Sequence, residues 1–450
     1  MASERRVTAS RTGRLGLLGR LAGGIAGGMV GEGVRRVAGG QRPSLNDLLL
    51  TPANARRLAD GLSEMRGAAM KVGQLISMDS GQMLPPQLSE VLARLREDAH
   101  QMPLGQVAEV LKNGWGRDWE ANFSRFLFTP IAAASIGQVH EAVLKDGRRL
   151  AIKVQYPGIR ESIDSDVDNV AMLLRMVRVL PDDFDIGPVL EEAKRQLHIE
   201  ADYQAEAASL MRFAAKLEGD SRFELPRPVE ALSTRDILAM QFLDGHPIER
   251  LAERPSALRN SVAASLTELA LREVFDWGLV QTDPNFANYL YAPGSDQIQL
   301  LDFGATREYP PASRAALCRL LAACNDGSDS GLADAAAEVG YLADGDPAGY
   351  RRSVVSLLRT ATEPLRAAQP FAFGGSDMAR RMSDAVLEMR LRDRFGRLPP
   401  TEVLYLHRKL GGLYLLLTRL RAVVDVRVLA APYLDQTERR DAANVHQGAA

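Results

Sequence analysis

Four short stretches of the chain hold residues whose chemistry depends on their spacing. "IAAASIGQVHEAVL" (131–144) sets small residues ahead of a strand-like run, and "LAIK" ends in Lys153. "DPNFAN" places Asn288 five positions after Asp283, and "LLDFG" supplies Asp302. A lysine on a strand can grip the α- and β-phosphates of a nucleotide, and aspartate and asparagine offer the hard oxygen atoms that suit Mg2+. Phosphoryl transfer asks for little more than phosphates held, charge neutralised and a nucleophile positioned. The order of the stretches points to that chemistry, with ATP as nucleotide, Lys153 and Asp283 as catalytic residues, and Asn288 and Asp302 as ligands of Mg2+.

Aligned on Gly137, Ala132-x-Ala134-x-x-Gly137-x-Val139 reproduces the G-x-G-x-x-G-x-V spacing of a kinase glycine-rich loop, with methyl groups where that loop leaves room for phosphates. Ala132, Ala133, Ala134, Ser135, Gly137 and Val139 are therefore the candidate nucleotide contacts of a stiffer loop. Other parts of a protein kinase are missing. Gln281 stands where the catalytic-loop histidine would be, and Asn285 where a lysine is common. "ATREYPPASRAALCRLL" runs from D-F-G straight into a helical pattern, with no A-P-E and no room for an activation segment. A peptide-docking platform is not visible, which makes a conventional protein kinase the lesser reading.

The elements that must position these residues follow from periodicity. From about Ser44 to Glu120 apolar residues recur at helical spacing, and "LPPQLSEVLARLRED" has a proline-initiated helix start. Strand signals cluster between Phe126 and Gln155, where "QVHEAVL" and "RLAIKVQY" flank the hairpin turn Lys145-Asp146-Gly147-Arg148. Residues 161 to 216 read as helix, 225 to 243 as two further strands closing the sheet, and the chain from Ile248 onward as helix. "NYLYAPGSDQIQLLDFG" interrupts it with two short strands around a turn.

Composition bounds the rest. Lys and Arg number 55 against 57 Asp and Glu, so no global field argues for a nucleic-acid partner. The two cysteines, Cys318 and Cys324, are too far apart for a C-x-x-C site, and the six histidines show no metal-ligand spacing. The apolar run Leu21 to Gly31 is far short of the roughly 20 residues a bilayer span needs. Its Gly19, Gly23, Gly27, Gly31 spacing permits close helix approach, and Arg14, Arg20, Arg35 and Arg36 could meet anionic headgroups.

"KVGQLIS", "AAASIGQVH", "IKVQYPG", "EADYQAEA", "QTDPNFAN" and "LLDFGATREY" together resemble the UbiB/AarF family of atypical kinases, in particular the branch of mitochondrial coenzyme Q kinase-like proteins. The resemblance runs from about Arg11 to at least residue 430. It implies an α+β, protein-kinase-like two-lobed fold with a helical N-terminal extension and a helical insert in the N-lobe. It implies that Lys71, Gly73 and Gln74 of K-x-G-Q lie over the cleft of a protein substrate, that Glu200 and Asp202 of E-x-D face the same regulatory site, and that Glu206 pairs with Lys153. Met240, Gln241 and Leu243 then form the linker beside the adenine. Phe286 and Ala287 depart from the family's commoner proline-glycine.

The organisation expected is a glycine-rich leader (1–43), a helical extension (44–122), the N-lobe (123–245), a helical C-lobe (246–436) and a polar tail (437–450). The function implied is an ATP- and Mg2+-dependent kinase or ATPase in isoprenoid quinone biosynthesis. It would be cytoplasmic and peripheral at the inner face of a membrane, with anionic lipids and quinone-biosynthesis enzymes as partners and a homodimer left open. A protein kinase and a non-catalytic nucleotide- or lipid-sensing scaffold are the alternatives, the second disfavoured by intact Lys153, Asp283, Asn288 and Asp302.

Overall fold

The computed structural model describes residues 62, 65–79, 101–176, 186–393 and 399–434, with isolated positions at 23, 24, 27, 28 and 35. The expected leader and tail, and the helix expected over 84–98, lie outside the described residues apart from those isolated positions. The chain divides into two compact units, Met1–Lys216 with Pro226–Leu243, and Leu217–Leu225 with Asp244–Ala450. The first unit thus takes in the helical extension as well as the sheet, and a short piece before Pro226 belongs to the second.

In the first unit, α1 (Arg66–Asp79) and α2 (Leu104–Trp115) precede strands β1 (Phe123–Phe126), β2 (Ala132–Ala133), β3 (Gly137–Leu144) and β4 (Arg149–Gln155). Helices α3 (Ile159–Met176), α4 (Gly187–Glu200) and α5 (Tyr203–Lys216) follow. The β3–β4 hairpin turns at Gly147, whose φ of 88° is left-handed, while Asp146 Oδ1 accepts from Arg148 N at 3.0 Å. The sheet order is β1-β3-β4-β6, with β2 also paired to β3, and β6 is Ile237–Gln241. Only β6 comes from the 225–243 stretch that was expected to give two strands. Pro226 and Pro228 lack the N–H a ladder needs, and the latter makes an isolated bridge to Met240. Phe223–Glu224 (β5) instead runs parallel to a strand of the second unit's sheet.

Buried apolar cores support this unit. One face of the sheet packs Ile152, Val154, Ile237 and Ala239 against Val107 and Leu111 of α2 and Trp119. A second core joins Ala68, Val72 and Ile76 of α1 to Val167 and Val170 of α3, Leu190 and Leu197 of α4, and Ile136 from the alanine-rich loop.

The second unit contains β7 (His246–Pro247), α6 (Ser256–Leu271) continuing as a π-turn over Arg272–Trp277, β8 (Leu279–Gln281), β9 (Tyr289–Ala292), β10 (Gln297–Leu300) and β11 (Thr306–Glu308). Its main sheet has the order β5-β10-β9-β7, and β8 pairs with β11. Helices α7 (Pro311–Asp326), α8 (Asp329–Val339), α9 (Ala348–Ala361), α10 (Met378–Asp393) and α11 (Thr401–Arg419) follow, with Phe371–Ala372 and Val423–Val424 paired as a separate short sheet. Helix α7 begins three residues after β11, on the proline that favours a first helical turn. Cys318 and Cys324 both lie on α7, the latter buried.

Candidate active site

Strand β4 delivers Lys153 to the inside of the sheet, opposite Val139 on β3 and Leu238 on β6. Its Nζ donates to both carboxylate oxygens of Glu206 on α5, at 2.9 and 2.8 Å, with both residues buried. The ammonium also lies 5.1 Å from the centroid of the Tyr203 ring. Two charges taken out of water in this way are held only by good geometry, and removing one partner costs about 3–5 kcal/mol.

The alanine-rich loop is a tight hairpin. Ala132 and Ala133 pair with Val139 and Gln138, and Ala134 N donates to Gly137 O at 2.9 Å. None of the three alanines has a positive φ, so their backbone does not call for glycine. Gly137 is needed for space, because a Cβ there would come within 2.4 Å of Val154 O and 2.7 Å of Tyr203 Oη. Ile136, next to it, is buried among the helices of the second core.

Ser135 joins this loop to the K-x-G-Q and E-x-D stretches. Its Oγ donates to Glu200 Oε2 at 2.6 Å, and Glu200 Oε1 takes an ion pair from the buried Lys71 on α1. The K-x-G-Q lysine, the first residue of E-x-D and the loop thus form one polar connection. Gly67, one turn before Lys71, lies close enough to the loop that a Cβ would be 3.1 Å from Ser135 O. Asp202 behaves differently: its Oδ1 accepts from Gln204 N and Ala205 N, the N-cap arrangement that starts α5. Gln74 and Gly73 sit on α1 beside Lys71. In the linker, Gln241 N is bonded to Arg227 O and Phe242 N to Arg149 O, while Met240 and Leu243 are buried.

A further polar chain fixes the N-terminal side of the sheet. Met102 N donates to Gln138 Oε1, the Gln138 amide donates to His140 Nε2 at 2.9 Å, and His140 Nδ1 donates to Leu127 O at 3.0 Å. Burial holds the His140 imidazole below its ordinary pKa, as its neutral donor-acceptor role requires.

The second unit gathers the remaining motif residues. Asn288 Nδ2 donates to Asp283 Oδ2 at 3.2 Å, and Leu301 N donates to Asn288 O at 3.0 Å. Asp302 Oδ1 accepts from Gly304 N at 2.9 Å, and Asn285 caps the short turn that leads into Asn288. Gln281 ties the two aspartates: its Nε2 donates to Asp283 O at 2.8 Å and to Asp302 O at 3.2 Å. Its own backbone N donates to Glu273 Oε2, on the π-turn.

Three residues of this centre carry no motif signal. Glu273 forms a buried ion pair with Lys409 at 3.0 Å. Burial pushes the Glu273 carboxyl above its ordinary value against the pull of Lys409, and Glu273 and Tyr289 hold the Lys409 ammonium above its own despite burial. Arg408 Nη2 lies 2.5 Å from Asp283 Oδ1. The only available hint was a basic pair inside the otherwise apolar run "LYLHRKLGGLYLLL".

Comparison with known proteins shows the family and the fold. Residues 94–335 match the family described as the ABC1 atypical kinase-like domain. The chain belongs to that family. It is a UbiB/AarF-type atypical kinase-like protein, as its motifs resemble, and its α+β fold is kinase-like. It is 36% identical to Atypical kinase COQ8B, mitochondrial, of Rattus norvegicus, over 95% of this chain and 81% of that one. It is 34% identical to Atypical kinase COQ8, mitochondrial, of Saccharomyces cerevisiae, over 93% of this chain and 83% of that one. With Atypical kinase coq-8, mitochondrial, of Caenorhabditis elegans it shares 35% identity over 94% of its own length, spanning 57% of the nematode protein. A solved structure described as "The complex structure of Rv3197-erythromycin from Mycobacterium tuberculosis" matches with a TM-score of 0.56 and 26% identity, over 84% of this chain and 94% of that one. Among the described residues, no helix of this ABC1 family member is long and apolar enough to cross a membrane.

Proposed function

We propose that the chain binds MgATP and hydrolyses it or passes its terminal phosphoryl group to a small acceptor, in support of isoprenoid quinone biosynthesis at a membrane surface. The observation that carries this reading is the buried pair of Lys153 with both oxygens of Glu206, a cation held for phosphates by a carboxylate that restricts its position. The donor chemistry of the second unit also fits Mg2+. Asn288, whose Nδ2 donates to Asp283, would offer its amide oxygen, the atom of that side chain that suits the ion, and Asp302 would add a carboxylate. Two hard oxygens, with phosphate and water completing the shell, make a donor set that Mg2+ accepts. When bound, the ion would neutralise charge developing on the phosphates.

Asp283 is the proposed catalytic aspartate. Ala132, Ala133, Ala134, Ser135, Gly137 and Val139 are proposed to cover the nucleotide, and Met240, Gln241 and Leu243 to border its base. The link from Lys71 through Glu200 to Ser135 supports a regulatory role for K-x-G-Q and E-x-D, and favours hydrolysis or a small acceptor over a protein substrate. The relatives' names place them in mitochondria. For this chain we propose peripheral attachment to an inner membrane face through its leader and anionic lipids, beside enzymes of quinone biosynthesis.

Phosphate release by the purified full chain, with and without anionic liposomes, tests the reading. MgATP-dependent release that rises on liposomes and is lost in Asp302→Asn is expected; equal release by parent and Asp302→Asn rejects the assignment. Flotation of the full chain but not of a chain lacking residues 1–40 is expected if the leader makes the membrane contact.

A further inference from the structure

Helix α11 lies beyond residue 335, where the family match ends, yet one of its faces meets the loop that bears Asp283. Gly412 lies four positions after Arg408 and three after Lys409, so it stacks beside both on the helix surface. Arg408 donates to Asp283 Oδ1 at 2.5 Å while Asn288 donates to Oδ2, so each oxygen of the aspartate has its own donor. Lys409 holds Glu273, whose other bond goes to Gln281 N, and Gln281 in turn donates to Asp283 O. Gly412 completes the contact, since a Cβ there would fall 2.1 Å from Pro284 Cβ.

We infer that Arg408 is a positioning residue for phosphoryl transfer. From outside the recognised kinase-like stretch it fixes the rotamer and the charge environment of Asp283, while Lys409 and Gly412 fix the backbone beneath it. The inference rests on the proposed role of Asp283. A guanidinium suits the task better than an ammonium because its planar, rigid donors hold a carboxylate oxygen in one direction. Nothing in the contact requires Arg408 to touch nucleotide, so its loss should appear in turnover and not in nucleotide affinity.

The experiment is steady-state phosphate release by the full chain and by Arg408→Gln, Arg408→Lys, Arg408→Ala, Asp283→Asn and the double variant Arg408→Gln/Asp283→Asn. We expect Arg408→Gln to lower kcat on the order of 10- to 100-fold, the effect of a misplaced catalytic group, with KM for MgATP within about twofold. Arg408→Lys should recover part of the loss, and millimolar guanidinium should raise the rate of Arg408→Ala. The double variant should be no slower than Asp283→Asn alone, because both changes act through one carboxylate. If Arg408→Gln melts early, Arg408→Lys and the guanidinium response carry the test. An active parent with Arg408→Gln at parental kcat, or losses that multiply in the double variant, overturns the inference alone. A parent that releases no phosphate overturns the proposed activity and this inference with it.

Discussion

Lys153 and Glu206 are 53 positions apart in the chain and form a buried, two-point ion pair between β4 and α5. Helices α3 and α4 fill the interval, so the pair depends on a helical insert returning the chain to the sheet. The insert is itself anchored there: Gln155 Nε2 and Arg160 both donate to Ala201 O, at the α4–α5 junction. Glu206→Gln should lower stability by about 3–5 kcal/mol, the cost of leaving a buried charge without its partner. Lys153→Met/Glu206→Leu should recover most of that stability without recovering MgATP binding. Chemical denaturation alongside nucleotide titration separates the two effects.

Asp302→Asn should abolish the MgATP-induced rise in melting temperature while leaving the melt without nucleotide within a few degrees of the parent. The amide keeps the shape that accepts from Gly304 N but lacks the charge that anchors the metal. Thermal shift at several Mg2+ concentrations is the measurement, and an undiminished shift rejects the metal role.

Gly411 and Gly412 make an internal control. A methyl at 411 meets open space, whereas one at 412 collides with Pro284. Gly411→Ala should stabilise the helix by about 0.5–1 kcal/mol, the usual difference between the two residues in a helix interior. Gly412→Ala should lower both the melting temperature and the rate of phosphate release. The order of the two melts decides the matter.

His140 predicts how stability responds to acid. Its folded pKa is depressed below the ordinary value of 6.5, so the unfolded chain binds the proton more readily. Stability from this group is therefore intact above about pH 6.5 and is lost as pH falls through that value toward the folded pKa. The physical event is loss of the Nε2 acceptor for Gln138. Denaturant midpoints between pH 7.5 and 5 should fall, with a shallower slope in His140→Gln; equal slopes would exclude this residue as the source.

Ala134→Gly probes the methyl groups of the loop. Alanine here sits at an ordinary φ, so glycine would add freedom without relieving backbone strain. We expect tighter ATP binding and adventitious autophosphorylation, with weaker support of quinone production in cells. Direct nucleotide titration and a quinone assay read both sides; parental values in both would make the alanines incidental.

The residues of the two units differ in how far they could be read from the sequence. Lys153, Asp283, Asn288 and Asp302 lie in short motifs whose spacing is local, and the β3–β4 hairpin announces itself through Asp146-Gly147. Glu206 needed a family resemblance, because on periodicity alone it belongs to a solvated helix face. Arg408 and Asp283 are 125 positions apart, and no local pattern marks a contact made by folding one helix against a distant loop. Gln281 read as a missing histidine, whereas its amide holds the backbones of both aspartates. The second strand expected before β6 failed for a local reason that was visible, the prolines at 226 and 228.

Ile136 is 1% exposed, its side chain sunk among α1, α3 and α4 at the tip of the alanine-rich loop. Lifting that loop would return an isoleucine to water at a cost of about 1.5–3 kcal/mol, before any loss at Ser135 is counted. Such a penalty confines the raised conformer to roughly one molecule in ten to one in a hundred and fifty. A nucleotide that needs the raised conformer would then associate more slowly in proportion to that population while dilute, and at the rate of loop opening once saturating. The anchor would act as a governor on exchange, and trimming it in Ile136→Val or Ile136→Ala should quicken nucleotide association and release before it alters the chemical step.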